Sequence, residues 1–331
     1  MDKQKLIQIV DRFANLRIVV WGDFILDERL YGTTRRISRE APVLILNYQD
    51  QEYSLGGAGN SLQNLKSLGA FPIPVGVIGR DEAGKKVLSI LKSKKMPTEW
   101  IYQEKSHRTP LKTRILAGED NTRKQQILRI DRDGRVPDDP ALKHWLLRTL
   151  GHLIKDCPAL LISDYNYDTV KEDIYAEVLR TTQKNEVPVT VDSRFRLLSF
   201  KGVTVATPNE PEVEEALGVE IAGKDEALRE AAGRILKKLR SPALLVTRGS
   251  RGMTLFEKGR PPFAIPVHGT TDIVDVTGAG DTVLSVFTLA LAAGASFREA
   301  AELANLAGGI VVMKKGAATL TPRELKQAIL S

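Results

Sequence analysis

The residues best placed to do chemistry lie in DVTGAGDTVLSVFTLALAAG, residues 275–294. Gly278, Ala279 and Gly280 precede Asp281, and an apolar run of helical length follows. Glycines let backbone N–H groups approach a ligand closely. A helix that starts there adds about half a positive elementary charge at its N-terminus. The turn is therefore a candidate anion hole that needs no lysine. If the anion is a phosphoryl group in flight, these amides meet its charge as it develops. Asp281 then has the task of accepting a proton from the attacking hydroxyl. A carboxylate base of this kind contributes about 10²–10⁴-fold. A plain helix cap fits the same residues, so the motif alone leaves both readings open.

The elements that must position Asp281 show as an alternation. Residues 16–23, 71–81, 158–165, 187–194, 202–210 and 242–252 read as short strands that end in polar or glycine residues. Helical spacing occupies 61–70, 141–155, 168–184, 209–217 and 224–240, and the N-terminal residues read as a short amphipathic helix. Such alternation predicts parallel βαβ units, whose ligands bind beyond the carboxyl ends of the strands. Asp164, Asp192, Asn209 and Thr247 stand where that rule places a site. Segments 29–57 and 108–133 break the alternation, being rich in strand and turn residues. They are expected to leave the main sheet as a lid or an association surface.

Composition narrows the function classes. The 331 residues are 42% hydrophobic and 27% charged, which suits a soluble chain with a sizeable core. A single cysteine, Cys157, rules out an internal disulfide, so a reducing cytoplasm is the expected setting. No apolar run reaches the roughly 18 residues of a membrane span. The net charge of +7 fits either a solvated basic surface or an anionic ligand such as a nucleotide or sugar phosphate. Nucleic acid is not expected, because no basic tract carries interleaved aromatics. GRDEAGKK (79–86) approaches a P-loop, but Lys86 stands where Ser or Thr would bind magnesium. It reads as an ordinary strand-to-helix turn. The four histidines are scattered and receive no role. No G-x-G-x-x-G follows the first strand, which argues against dinucleotide chemistry.

VVWGDFILD, LGGAGNSLQNLKSLGA, TPNEPEVEEALG, VTRGSRG and DVTGAGDT occur in that order. Together they resemble the ribokinase-like (PfkB) family of carbohydrate kinases over about residues 16–327. The pair formed by Gly56, Gly57 and Asn60 with residues 275–281 is specific, whereas either half alone is weak. The resemblance implies an α/β fold of three layers, α/β/α, with a mostly parallel central sheet and a small β lid. It implies one kinase domain over 1–331, with the lid drawn from 29–57 and 108–133. Asp281 would be the catalytic base, and the amides of Gly278, Ala279 and Gly280 the anion hole. Asp27, Gly56, Gly57 and Asn60 would hold sugar hydroxyls, with Asp23, Asp164 and Asp192 on the same substrate side. Asn209 and Glu212 would serve the ATP phosphates and Mg²⁺, Glu212 through water, although Asn-x-x-Glu is also a capping box. Thr247, Gly249 and Gly252 would lie along the nucleotide, with Asn305 and Gly308 in the adenine wall. Asp275 and Thr277 resemble a monovalent-cation site, for which K⁺ is the candidate.

Further segments resemble one subgroup, the D-glycero-β-D-manno-heptose-7-phosphate kinases. They are GDFILDERLYGTTRRISREAPVLIL, LKTRILA with QQILRID, SDYNYDTV, and LANLAGGIVVMKKGAATLTPREL. Such a substrate carries a phosphate remote from the reacting hydroxyl and needs cations. Arg36, Lys112, Arg114, Arg129 and Arg194 are the candidates, arginine's fork being matched to phosphate. Two departures fall near that end. Asp192-Ser193-Arg194 replaces the subgroup's Asp-Pro-Lys, and Asn166-Tyr167 stands where Lys-Gly is frequent. They leave open another sugar, sugar phosphate or nucleoside as acceptor, and a non-catalytic kinase-like binding protein remains the rival from another class. Bifunctional members add a nucleotidyltransferase domain after the kinase, and a chain ending at Ser331 has no room for one. A stand-alone cytoplasmic kinase is thus expected, with neither nucleic acid nor membrane as partner. Pairing of lid edges would make it a homodimer.

Overall fold

The computed structural model describes residues 2–119, 124–269 and 274–331, with Arg35 and Arg36 described by their backbone alone. The first half of the chain forms α1 (Lys3–Asp11), β1 (Arg17–Gly22), β2 (Phe24–Ile37), β3 (Leu44–Gly57), α2 (Ala58–Ser67), β4 (Phe71–Gly79), α3 (Glu82–Ser93), β5 (Ile101–Glu104), β6 (Leu111–Gly118), β7 (Gln125–Arg132) and α4 (Pro140–Leu153). The second half forms β8 (Ala159–Asp164), α5 (Glu172–Lys184), β9 (Val189–Ser193), β10 (Val205–Ala206), α6 (Glu210–Leu217), α7 (Asp225–Leu239), β11 (Ala243–Thr247), β12 (Met253–Glu257), β13 (Phe263–Ile265), α8 (Ala279–Ala292), α9 (Phe297–Val312) and α10 (Pro322–Leu330).

A nine-stranded sheet runs β13-β12-β11-β10-β9-β8-β1-β4-β5. It is parallel from β11 to β5, while β12 and β13 turn back antiparallel at one edge. Successive side chains of a strand point to opposite faces. In β1 this sends Ile18 and Val20 into the layer of α2, α8 and α9, and Val19 and Trp21 into the layer of α4, α5 and α7. Both faces are thus apolar and covered by helices, as a parallel sheet requires. α8 is buried all round from Asp281 to Ala290, which is the pattern of a helix inside a core.

A second sheet of four strands runs β3-β2-β6-β7. Both segments that break the alternation contribute strands to it. Its register sets Asp27 beside Lys112 and Lys112 beside Asp131, and in the next row Arg29, Arg114 and Arg129. One face therefore carries nearly all charged groups. The other carries Leu26, Tyr53 and Thr113, with Leu128 and Ile130 left exposed.

The structure departs from the periodicity in three places, each with a local cause. The strand expected over 202–210 contracts to Val205–Ala206, because Pro208 has no N–H to give and Asn209 already caps α6. The stretch 242–252 divides at Thr247, where Gly249 (φ 58°) and Gly252 (φ 78°) reverse the chain into β12. The helix expected from 168 begins at Glu172, since Asn166 and Asp168 take left-handed conformations with φ of 63° and 68°. Among the described residues, no helix is long and apolar enough to cross a membrane.

Polar ties join α2 to α8. The Thr282 hydroxyl donates to Asn64 Oδ1 at 2.9 Å, Asn64 Nδ2 to the Asn60 carbonyl at 3.1 Å, and Ser285 Oγ to the Ser61 carbonyl at 3.3 Å. Cutting this buried tie should cost about 1–3 kcal/mol. Asn64→Ala is expected to lower the urea midpoint accordingly while leaving the far-ultraviolet circular dichroism unaltered. An unchanged midpoint would show that the tie adds nothing to stability.

Candidate active site

Two helix N-termini meet at the carboxyl end of the sheet, and each is opened by a glycine. Gly278 takes φ 77° ahead of α8, and a Cβ on it would lie 2.4 Å from Asn60 Nδ2. Gly57 takes φ 57° ahead of α2, and a Cβ on it would lie 2.5 Å from the Asp23 carbonyl oxygen. Any other residue would be strained at both positions, pressing on Asn60 of α2 from position 278 and on the backbone of Asp23 from position 57. Asn60, in the first turn of α2, thereby reaches Asp281, in the first turn of α8. Asn60 Nδ2 donates to Asp281 Oδ2 at 2.7 Å, and the Tyr165 hydroxyl donates to Oδ1 at 3.2 Å.

Asp281 is 5% exposed. Burial pushes its carboxyl up to about 6, with the charge of Asp27 adding to the rise and the bonds from Asn60 and Tyr165 opposing it. A base with that pKa is ionised near neutrality yet still accepts a proton readily. Beside it, Asp27 is ion-paired with Arg114. Gly56 leaves room for this carboxylate, because a Cβ there would stand 2.3 Å from Asp27 Oδ2. Asn60 Oδ1 and Ser54 Oγ are buried and have no hydrogen-bond partner in the protein. Groups buried in this way normally find one, and a ligand hydroxyl would supply it.

Two of the expected substrate residues are taken up by the protein itself. Asp23, 1% exposed, accepts backbone N–H bonds from Tyr165 (2.8 Å), Tyr167 (3.1 Å) and Thr169 (3.2 Å). Burial, and then the charge of Asp164, raise its carboxyl to about 6. Asp164 receives the Ser193 hydroxyl at 2.6 Å and is ion-paired with Arg196. Both act from behind the site, fixing the loop after β8.

The charged face of the small sheet closes a pocket of about 290 Å³ with that loop. Lys112, Arg129, Arg135 and Arg194 line it together with Asp131, Asp133, Tyr165 and Tyr167, and Arg135 is ion-paired with Asp168 at 3.0 Å. Arg129 forks onto Asp131, and Arg114 is engaged by Asp27. Lys112 places its ammonium over the Tyr165 ring at 5.6 Å, and Arg194 lies 5.4 Å from the Phe195 ring. Burial and the nearby guanidinium groups of Arg129 and Arg194 push the Lys112 pKa down. Cations so crowded are suited to an anion. The Arg36 side chain lies outside the described residues.

On the other side of Gly280 is a cleft of about 180 Å³. Thr247, Gly249, Gly252, Asn305 and Gly308 all line it. Asn305 secures one wall by donating to the Pro266 carbonyl at 2.8 Å. Asn209 and Glu212 form a complete capping box at the start of α6, with bonds of 2.8 and 2.9 Å. Burial raises the Glu212 carboxyl. It also raises Asp192 well above the carboxylate range, with Glu212, Asp281 and Asp164 adding like charge. Two hard oxygen donors that repel each other suit a divalent cation bound mainly through water and phosphates. Among the described residues no group of three or more His, Cys, Asp or Glu side chains forms a metal cage. Asp275 accepts the N–H groups of Thr277 and Gly316, both at 2.9 Å, and so closes the turn before α8. Those bonds hold its carboxyl below the usual value against the effect of burial.

Tyr165, Ser54, Asn64, Arg196 and Glu210 are the site-shaping residues that motif reading passes over. Glu210 is 8% exposed and binds Arg248 at 2.7 Å and also Arg251, fastening the loop that lines the cleft. Only Tyr165 had a usable signal, since it directly follows a strand-end aspartate.

The raised pKa of Asp281 fixes a sign for stability. Its folded value of about 6 exceeds the ordinary 3.8, so the folded state binds the proton more tightly than the unfolded chain. Stability from this group is greatest at low pH and is lost as pH rises toward 6. Asp281→Asn is therefore expected to melt higher than wild type at pH 7.5, by about 1–3 kcal/mol, with the gain shrinking by pH 4.5. A gain independent of pH would show that Asp281 carries no such penalty.

Residues 15–324 match the pfkB family carbohydrate kinase description. Among curated relatives, the bifunctional protein HldE of Trichlorobacter lovleyi is 38% identical over 99% of this chain and 66% of its own length. HldE of Caulobacter vibrioides is 36% identical over 95% of this chain and 63% of its own. The chain spans about two thirds of these relatives. Among solved structures, Arabidopsis thaliana ribokinase with ribose and ATP aligns with a TM-score of 0.73 at 20% identity, covering 96% of this chain and 99% of that one. Escherichia coli phosphofructokinase-2 with potassium aligns with a TM-score of 0.72 at 17% identity, covering 96% and 98%.

Proposed function

Because the chain belongs to the pfkB family of carbohydrate kinases, we propose that it phosphorylates D-glycero-β-D-manno-heptose 7-phosphate to the 1,7-bisphosphate with ATP, in the cytoplasm, for ADP-heptose and surface-glycan synthesis. The observation that carries this reading is the cation-lined pocket of about 290 Å³ reached from the base by way of Tyr165. A sugar whose reacting hydroxyl meets Asp281 can place a remote phosphate among Lys112 and Arg194. The segments that resemble the heptose-phosphate kinases supply the choice of sugar.

In this reading Asp27, Asn60 and Ser54 hold the sugar hydroxyls. The reacting hydroxyl loses its proton to the Asp281 carboxylate as its oxygen attacks the γ-phosphorus. The bond from phosphorus to the bridging oxygen breaks, and ADP leaves. The amides of Gly278 and Gly280 would meet the charge on the transferring group; the Ala279 N–H, expected to join them, is instead given to the Val276 carbonyl at 3.2 Å. Adenine lies in the cleft bounded by Asn305 and Gly308, and the phosphates run past Thr247, Gly249 and Gly252. Mg²⁺, held by Glu212 and Asp192 largely through water, would neutralise phosphate charge. Asp275 and Thr277 form the monovalent-cation site of this proposal, with K⁺ as the ion. The exposed Leu128 and Ile130 support pairing of two copies through the small sheet.

One observation favours a second reading within the same chemistry. Arg194 and the Asn166-Tyr167 turn both line the anion pocket, and both depart from the heptose pattern. Another phosphorylated sugar would be read there by the same cations.

The test is ADP release with Mg-ATP and K⁺, comparing heptose 7-phosphate with sedoheptulose 7-phosphate, fructose 6-phosphate, fructose, ribose and adenosine. Turnover confined to the heptose phosphate is the expected result, and turnover on a different acceptor alone would replace it. Asp281→Asn should lose about 10²–10⁴-fold in turnover while binding ATP nearly as wild type. Near-normal turnover would remove Asp281 as the base. Arg194→Ala should raise KM for the phosphorylated sugar far more than for its unphosphorylated analogue, whereas equal effects would take Arg194 out of phosphate recognition.

A further inference from the structure

Tyr165 lies in SDYNYDTV without an assigned role, yet three parts of the molecule converge on it. Its backbone N–H is held by the buried Asp23 carboxylate at 2.8 Å. Its ring forms a wall of the anion pocket, with the Lys112 ammonium 5.6 Å from the centroid. Its hydroxyl donates to Asp281 Oδ1 at 3.2 Å, while Asn60 donates to Oδ2 at 2.7 Å. Two donors from different elements therefore fix the plane of one carboxylate. Each oxygen keeps a lone pair for a substrate hydroxyl, and the carboxylate cannot rotate without breaking a bond.

We propose that Tyr165 is a positioning residue for phosphoryl transfer, whose hydroxyl orients the Asp281 carboxylate and favours its ionised form. The proposal rests on Asp281 being the base. The ionisable groups around Asp281 come from several elements. Asp27 faces it from β2 and Asp192 from β9, and both disfavour a further negative charge. Asp164, at the end of β8, is paired with Arg196, and Arg194 follows β9. α2 meets Asp281 with the uncharged Asn60 and Ser61, and the buried face of α9 carries no charge. Tyr165 is the ionisable neighbour that donates a hydrogen bond to Asp281. Burial and the carboxylates of Asp281 and Asp192 raise its own pKa, which keeps its proton in place for donation. A hydrogen bond given to a carboxylate favours the charged form, so its loss must raise the proton affinity of Asp281.

Tyr165→Phe removes the O–H and keeps the ring under Lys112. Asp281 is first titrated by carbon-13 carboxyl NMR in ligand-free protein, with Asp281→Asn identifying its signal. In Tyr165→Phe its midpoint should move up by on the order of one pH unit. An unmoved midpoint would overturn the proposal. Turnover is then measured from pH 5 to 9 on the best acceptor of the panel. The expected result is a roughly tenfold lower kcat, an acid limb displaced upward by the same amount as the NMR midpoint, and an unchanged KM for ATP. A uniform loss with no displacement of the acid limb, or no loss at all, would also overturn it. If wild type phosphorylates no sugar tried, the kinase substrate reading fails, and the titration still decides whether Tyr165 governs Asp281.

Discussion

The contact between Asn60 and Asp281 is the constraint on which the rest of the site is built. It spans more than two hundred residues of sequence and joins the first turns of two helices. Both helices must start where the chain bends into the left-handed region, and both bends need a residue without a Cβ. The resulting geometry brings two helix N-termini to one place and leaves a carboxylate between them. Such a carboxylate is costly to bury, and the raised pKa of Asp281 records that cost. Active sites commonly hold strain of this kind, which the surrounding core must offset. Here the offset comes from α8 itself, an almost wholly apolar helix enclosed by α2, α9 and the sheet.

Charge is segregated around that point. Asp192, Glu212 and Asp281 crowd together on the side of the large sheet; burial and then the like charge of Glu212 and Asp281 raise Asp192, and burial raises Glu212. Lys112, Arg129 and Arg194 repel one another on the opposite side. A ligand that brings cations to the first group and an anion to the second relieves both strains together. A magnesium nucleotide with a phosphorylated sugar is a pair of that description. Tyr165 stands at the boundary and touches both groups.

The fold class was legible because strand and helix periods alternate cleanly and the strands end in polar residues. Sequence alone also grouped residues that the fold brings together, since Thr247, Gly249, Gly252, Asn305 and Gly308 line one cleft. What it could not supply was direction. Asp23 and Asp164 have the type and position of ligand-binding carboxylates, but the left-handed turn at Asn166 and Asp168 brings backbone N–H groups and Arg196 onto them. Arg114 and Arg129 carry the right charge for phosphate, but Arg114 reaches diagonally across the sheet to Asp27 and Arg129 forks along its own strand onto Asp131. Ser54 escaped notice because its role depends on which face of its strand it occupies, and no short spacing encodes that.

A single residue, Asp23, separates β1 of the large sheet from β2 of the small one. At this crossing the Ala58 N–H returns to the Asp23 carbonyl, and Phe24 pairs with Gly57. The two sheets therefore share one reading frame. Strand faces alternate with every residue, so an insertion or deletion between Asp23 and Asp27 would exchange the faces of β2. Asp27 and Arg29 would then point toward α3, while Leu26 and Glu28 would turn toward Asp281. The hairpin tip around residues 38–43 is under no such restriction and can drift in length. Evolutionary change in the small sheet is thereby channelled: its tips can vary by insertion and deletion, but its root can change only by substitution.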